Sequence, residues 1–454
     1  MIASERRAVF SLSLLYSLRM LGLFMILPVF VIYGADLKHA SGVLLGVAIG
    51  AYGLSQAMFQ IPFGALSDRY GRKKLIFLGL LLFLIGSVVA ALSDDIYGVI
   101  LGRFLQGSGA IASVLMALLS DLTSEENRTK SMALIGMSIG ISFSIALIVG
   151  PLISSAFGIK GIFWITALLA AFGMLWLLVF VPSPVHKVSD RNTRLFGSQL
   201  KDVLANVELL RLDFGIFALH LCLTAVFIAL PMSLQEKAGL VTEEHWWIYL
   251  TVLVSSFFAM IPFIIIGEKK QKMKQVFVFA VSLLSLSAFS FIFTQYELTS
   301  FWLSLFFFFM AFNLLEAILP SLVSKLSPAG NKGTAMGVYS TSQFMGAFVG
   351  GTLGGVMLTM FHESGVYVLV ASVCFLWVIV AKSMQKPNHE TGMTLQFTKI
   401  DQDSAQIIST RLSSVPGVEE VVVIPQDGVA YLKVIKSELN LKQLDDVMDC
   451  FKEA

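Results

Sequence analysis

Twelve runs of predominantly apolar residues, broken by short polar stretches, leave most of this chain a single possible solvent. About 20 apolar residues in helix are needed to cross the hydrocarbon core of a bilayer. The runs fall at roughly 8–33, 42–66, 75–92, 97–120, 131–155, 161–181, 211–232, 246–267, 275–294, 299–325, 334–360 and 365–384. Lipid offers backbone N–H and C=O groups no partner, so each run is read as an α-helix, which satisfies its own. A composition of 56% hydrophobic against 14% charged residues leaves too little polar surface to coat a soluble globule.

Charge sets the orientation. With the N-terminus inside, 21 Lys and Arg residues lie in the presumed cytoplasmic segments, among them Arg69, Arg72, Lys73, Lys74, Lys269, Lys270, Lys272 and Lys274, while the opposite loops hold only Lys38, Lys160 and Lys237. That asymmetry predicts a multi-pass membrane protein with both termini cytoplasmic. The net charge of +2 therefore reflects insertion, and no nucleic-acid partner is expected. The first apolar stretch is too long for a cleavable signal peptide and has no small-residue cleavage site. Cys222, Cys374 and Cys450 have no spacing suited to a metal or a disulfide and are read as reduced packing thiols.

The chain is internally duplicated. QIPFGALSDRYGRKK at 60–74 aligns with MIPFIIIGEKKQKMK at 260–274, pairing Ile61 with Ile261, Pro62 with Pro262, Phe63 with Phe263, Asp68 with Glu268, Arg69 with Lys269, Arg72 with Lys272 and Lys74 with Lys274. Gly150 and Pro151 likewise fall opposite Gly350 and Gly351. The longest polar interruption splits the spans six and six, so the expected organisation is an N-terminal six-helix bundle at 1–181, a cytoplasmic linker at 182–210, a second bundle at 211–386 and a soluble tail at 388–454. The tail reads strand 394–400, helix 404–412, strands 418–424 and 428–435, helix 441–451. This βαββα order is that of a ferredoxin-like split unit with its last strand short or missing. The tail loop at 400–406 lacks the paired cysteines a soft metal would need, so no metal and no cofactor is expected.

Gly64, Asp68, Arg69, Gly71, Arg72, Lys73 and Lys74 stand at the spacing of the loop signature between the second and third helices of the major facilitator superfamily. Arg103, Gln106, Gly107 and Gly109 resemble the membrane-embedded Arg motif of the family's fourth helix. Gly136, Gly140, Gly150 and Pro151 are similar to its helix-packing Gly-Pro motif in the fifth. The resemblance covers residues 8–384 and implies an all-α membrane protein with the twelve-helix major facilitator fold, two six-helix bundles to which the α+β ferredoxin-like domain is appended. It also implies alternating access, two bundles rocking about a central site. Asp68 is then expected to meet the start of the eleventh helix, near Gly333, when the cytoplasmic side is closed, with Arg72 pairing with Asp121. A carboxylate at a helix N-terminus meets unsatisfied N–H groups and about half a positive charge, so this contact can serve as a conformational latch.

Ionisable residues at bilayer depth cost several kcal/mol unless they face a cavity or a partner, and they mark a substrate or proton pathway. Four stand out: Arg19, Arg103, His220 and Glu316, one each in the first, fourth, seventh and tenth spans, the helices that line the cavity in the family. At about 1.5 Å per residue, Arg19 and Glu316 both lie roughly 15 Å from the cytoplasmic ends, so they are expected to approach each other across the two halves. Glu316, then His220, is the candidate proton-exchanging group. Glycines repeating every fourth residue, Gly42, Gly46 and Gly50 in the second span and Gly346, Gly350 and Gly354 in the eleventh, predict close helix contact along one face of each. No phosphate-binding G-x-x-x-x-G-K-(S/T) loop occurs, which argues against an ATP-driven pump.

The reading is thus a non-enzymatic secondary transporter, a proton-driven exporter of small amphipathic or drug-like molecules. Its partners are a small-molecule substrate, protons and the lipid bilayer, with self-association or regulatory docking through the tail. A sugar or metabolite exporter or facilitator is one alternative, and a membrane sensor with a cytoplasmic reporting domain is another.

Overall fold

The computed structural model describes residues 3–182, 193–293, 297–328, 331–385, 390–397, 402–425, 428–435 and 438–452. Lys187, Arg191, Lys386, Ile400 and the side chains of Arg128, Arg194 and Cys450 lie outside the described set.

The membrane part consists of α1 (Ala3–Phe24), α2 (Phe30–Gly34), α3 (Gly42–Tyr70), α4 (Arg72–Leu92), α5 (Ile96–Ser108), α6 (Ala112–Leu122), α7 (Glu125–Val179), α8 (Thr193–Ala205), α9 (Val207–Glu236), α10 (His245–Lys269), α11 (Met273–Ser290), α12 (Leu298–Leu326) and α13 (Lys332–Ser383). Among the described residues, ten continuous or near-continuous helical segments are long and apolar enough to cross a membrane. Two of these are double: at about 1.5 Å per residue, α7 and α13 would each exceed twice the thickness of the hydrocarbon core. Both are broken by a left-handed residue, α7 at Gly158 (φ 63°) and α13 at His362 (φ 55°). Dividing them there yields the twelve expected spans.

Two spans differ from the continuous helices expected. The first is interrupted between α1 and α2, around Pro28, which has no N–H to donate to the preceding turn. The fourth is interrupted between α5 and α6, where Gly109 leaves helical geometry (φ −74°, ψ 57°). Glycine is required on both sides of this break, because a Cβ on Gly107 would strike the Tyr52 carbonyl and one on Gly109 the Gly79 carbonyl.

The duplication is written into the backbone. Outside the tail, the described residues with positive φ fall into three pairs: His39 (58°) and Gly239 (70°) between the first two spans of each half, Gly71 (99°) and Gln271 (54°) between the second and third, Gly158 (63°) and His362 (55°) between the fifth and sixth. The first two pairs are 200 residues apart, the offset of the aligned motifs. Each pair thus sets a positive φ at the equivalent turn, on glycine in one half and in the other on a residue whose Cβ makes that conformation strained.

By packing, the chain resolves into two compact units. One comprises Met1–Arg191, Asp213–Glu316 and Tyr339–Ser383; the other comprises Asn192–Leu212, Ala317–Val338 and Met384–Ala454. In the first, the N-terminal helices close on a core of Leu12, Leu15, Ile76, Phe83, Ile111, Leu115 and Leu118, all fully buried. Both six-helix halves contribute to this unit because α3 and the first part of α13 touch backbone to backbone. Gly46 faces the Gly351 carbonyl and Gly355 Cα, Gly50 faces Phe348, and Gly53 faces the Phe344 carbonyl. The two glycine ladders therefore do different jobs. Gly42, Gly46 and Gly50 do face the other half, but Gly346, Gly350 and Gly354 turn toward α9, against Phe217, Leu221 and Ala225, and the cross-half contact is made by Gly351 and Gly355. This seam lies at the end of α3 remote from the 64–74 motif. At that remote end the α4–α5 loop is tied down by Asp95, which accepts from the Tyr97 amide at 2.8 Å and lies 2.6 Å from His39 Nδ1. The Tyr97 N–H first, and His39 second, hold the Asp95 carboxyl below the usual carboxylate range.

In the second unit, the tail consists of β1 (Glu390–Gln396), α14 (Gln402–Ser413), β2 (Val418–Ile424), β3 (Val429–Ile435) and α15 (Leu441–Lys452), in the expected βαββα order. The first strand starts four residues earlier than the apolar pattern indicates. Its partner β3 extends to Ile435, which pairs with Glu390 and carries the ladder outward. The antiparallel sheet has order β1-β3-β2 and covers Ile408, Leu412, Val415, Ala430, Leu432, Val434 and Leu444.

Candidate functional site: ionic groups among the helices

The motif corner is built on the turn from α3 to α4. Gly71 reverses the chain with φ 99°, a conformation that costs glycine no Cβ clash, so a single residue separates the two helices. This places Arg72 one turn beyond Asp68, to which it is ion-paired. Its Nε also lies 3.2 Å from Asp121 Oδ2 at the end of α6, the pairing the resemblance implies. Arg72 Nη1 donates to Ser67 Oγ at 2.6 Å, and Ser67 donates in turn to the Gly64 carbonyl at 2.6 Å. Arg69 stands outside this network, its guanidinium 5.5 Å from the Tyr70 ring.

Deeper in the N-terminal half lie two cations. Arg19 of α1 donates through Nη2 to Gln56 Oε1 at 2.8 Å and to the Gly109 carbonyl at 2.6 Å, and sits 5.7 Å from the Phe83 ring. The break in the fourth span thus presents a carbonyl to a buried cation. Arg103 of α5 donates to Gln106 Oε1 at 2.8 Å, Gln106 donates to Ser87, and the guanidinium lies over Tyr52 at 5.1 Å. Both arginines are 2% exposed, and among the described residues no carboxylate pairs with either.

The C-terminal half holds the acid. His220 Nε2 of α9 lies 3.5 Å from Glu316 Oε1 of α12 and 2.8 Å from Gln343 Nε2 of α13. A third of the Glu316 side chain (34%) is accessible, yet its Oε1 is buried and makes no hydrogen bond. The expected approach of Arg19 to Glu316 is not made. Each turns to partners in its own half, Arg19 to Gln56 and Gly109, Glu316 to His220, because these short-range contacts come from helices packed directly alongside.

Aromatic rings, rather than charges, bridge the halves beside this site. Phe143 of α7 lies 6.3 Å from Phe309 and 6.2 Å from Phe312 of α12, and 4.9 Å from Phe24 of α1, while Phe312 is 6.1 Å from His220. Aromatic faces next to an accessible carboxylate can hold an apolar molecule that carries a polar group.

The Gly-Pro motif divides. Gly150 packs against the Met25 carbonyl and Pro28 of the first span, as its counterpart Gly350 packs against Leu221 of the seventh, and Pro151 follows within α7. A methyl on Gly136 or Gly140 would meet nothing within 4 Å, so in this conformation no neighbour requires glycine at either position. A contact residue can be glycine for want of space, but an open one cannot have been selected by this neighbour.

Several participants carry no signal in the sequence pattern. Gln56, Gln343, Phe143 and Tyr339 are ordinary residues of apolar helices. Asp213 sits at the edge of an apolar run, where an acid looks interfacial, although its spacing of seven from His220 places both on one face of α9. Cys222 and Cys374, 152 residues apart, are free thiols brought within 3.4 Å.

The sequence profile described as Major Facilitator Superfamily matches residues 12–351, and again 274–420. The chain is 47% identical over 451 residues to the inner membrane transport protein YajR of Escherichia coli (strain K12), covering 99% of this chain and 98% of that one. It is 26% identical to multidrug resistance protein 2 of Bacillus subtilis (strain 168), over 75% of this chain and 86% of the relative. Among solved structures, a mutant of the nucleoside transporter NupG superposes with a TM-score of 0.68 at 16% identity, covering 84% of this chain and all of the other, a likeness of fold.

Proposed function

Because the chain belongs to the major facilitator superfamily, we propose that this inner-membrane transporter is a proton-driven exporter of small amphipathic or drug-like molecules, working by alternating access. The observation that carries the reading is the accessible Glu316, whose Oε1 lies 3.5 Å from His220 Nε2 and makes no hydrogen bond, with the His220 ring 6.1 Å from Phe312 in the Phe143, Phe309 and Phe312 cluster. An acid with a titratable neighbour and an apolar wall can bind a proton and a hydrophobic substrate in alternation. Distant relatives named for multidrug resistance support the same substrate class.

The two arginines anchor the N-terminal half, Arg19 and Arg103 holding the first and fourth spans to the second and third. The corner of Gly64, Asp68, Arg69, Gly71, Arg72 and Asp121 acts as the conformational latch, and the smooth Gly46–Gly351 seam is the surface on which the halves rock. Both termini are cytoplasmic, and the tail serves regulatory docking or self-association. The test is uptake of ethidium and a panel of related amphipaths into proteoliposomes under an imposed pH gradient. Glu316→Gln should abolish gradient-driven flux while sparing exchange between equal concentrations; full driven flux in this variant would overturn the proton-coupled reading.

A further inference from the structure

Asp213 is the buried acid that the foregoing site does not use. It lies in α9, seven residues before His220, about 10 Å away along the helix axis and nearer the Val207 end. It is 6% exposed, and its Oδ2 is buried with no hydrogen-bond partner. No cation pairs with it among the described residues; on its own helix, Arg211 is taken by Glu208. A carboxylate left this way in an apolar span is costly and marks a pathway.

Tyr339 of α13, 5% exposed, lies within electrostatic reach of both Asp213 and Glu316. One turn further along α13, Gln343 holds the His220 ring. Three helices therefore contribute to one file, Asp213 and His220 from α9, Tyr339 and Gln343 from α13, Glu316 from α12. Of the described titratable groups on the neighbouring helices, Tyr339 is the one within electrostatic reach of Asp213.

We propose that Asp213 is a second proton-binding site, linked to Glu316 through the Tyr339 hydroxyl. The proposal rests on the proton-coupled reading above. Neither Asp213 Oδ2 nor Glu316 Oε1 is hydrogen-bonded in this conformation, so the relay forms when rocking brings the Tyr339 hydroxyl into hydrogen bonds with both acids; the proton then leaves the Glu316 carboxyl for the Tyr339 oxygen as Tyr339 passes its own hydroxyl proton to the Asp213 carboxylate. Tyr339 ends neutral, one proton has moved, and Asp213 releases it at the Val207 end. The arrangement lets a proton leave while a bulky molecule fills the space beside Glu316.

The test needs no substrate for its first readout. Infrared difference spectra of the full-length protein in liposomes, taken as the pH is stepped, should show two titrating carboxyl C=O bands of buried acids, one lost in Asp213→Asn and the other in Glu316→Gln. For the second readout, Asp213→Asn should slow ethidium flux driven by a pH gradient on the order of a hundredfold, the lower end for removing a positioned proton-transfer group. Exchange should persist, and Asp213→Glu should restore driven flux. Tyr339→Phe, which keeps the packed ring, should slow driven flux without removing either band, so the relay stays testable if Asp213→Asn fails to fold. A spectrum without an Asp213 band, or driven flux unchanged in Asp213→Asn or in Tyr339→Phe, overturns the proposal. Failure of Glu316→Gln to affect flux instead sinks the proton-coupled reading, and the Asp213 band distinguishes the two failures.

Discussion

Gly46→Ala should open the end of the molecule where the two halves touch. The added methyl would stand 2.9 Å from Gly355 Cα and 3.0 Å from Gly355 N, and closer still to the Gly351 carbonyl. Carbon atoms prefer about 3.5–4.0 Å, so α3 and α13 must part by roughly 1 Å at this point. Backbone atoms of two long helices cannot swing aside as a flexible side chain would, and overpacking of this kind costs about 1–3 kcal/mol. Charged wholly to the closed seam, that shifts the equilibrium between seam-closed and seam-open forms by a factor of about 5–150. Spin labels on Ser41→Cys and Met360→Cys, in a protein whose native cysteines are replaced by alanine, report the separation by pulsed electron paramagnetic resonance. Gly46→Ala should populate a longer distance at the expense of the short one. Gly140→Ala is the control, because a methyl there meets nothing within 4 Å. A distance distribution in Gly46→Ala that matches the unsubstituted protein would refute the argument that backbone contact at the glycine seam holds this end shut.

Two further predictions follow from the turns. Asp68→Asn removes the charge of the latch and should shift the population toward the form open at the motif end by about 1–2 kcal/mol, the upper range for a carboxylate at a helix N-terminus; unchanged labelling of cysteines at that end would remove the latch from the account. Gln271→Gly should raise the unfolding temperature in detergent, by relieving about 1 kcal/mol of left-handed strain at φ 54°, and the reverse change, Gly71→Gln, should lower it; a lower unfolding temperature for Gln271→Gly would show that the Gln271 side chain contributes more than its backbone costs.

Much of this architecture was legible in advance. The medium and the number of spans follow from apolar length, which acts residue by residue and needs no knowledge of neighbours. The 60–74 and 260–274 alignment anticipated a repeat that the backbone then displays at His39 and Gly239, Gly71 and Gln271, Gly158 and His362. The tail's strand and helix order was equally readable, because period-2 and period-3.6 patterns are local. The Arg72–Asp121 contact was available only through resemblance, since 49 residues separate the partners.

The sequence alone determined which residues are ionisable at membrane depth, because solvation cost depends on a side chain and its place along a span. Tertiary structure alone decided their partners. Equal depth suggested that Arg19 would meet Glu316, but depth is one coordinate of three, and the rotation of α1 and α12 sends these side chains to Gln56 and His220 instead. The same limit hid the roles of the glycines: a four-residue period marks a smooth helix face without saying what lies across it. The packing gave Gly346, Gly350 and Gly354 to α9, Gly351 and Gly355 to α3, and Gly136 and Gly140 to open space.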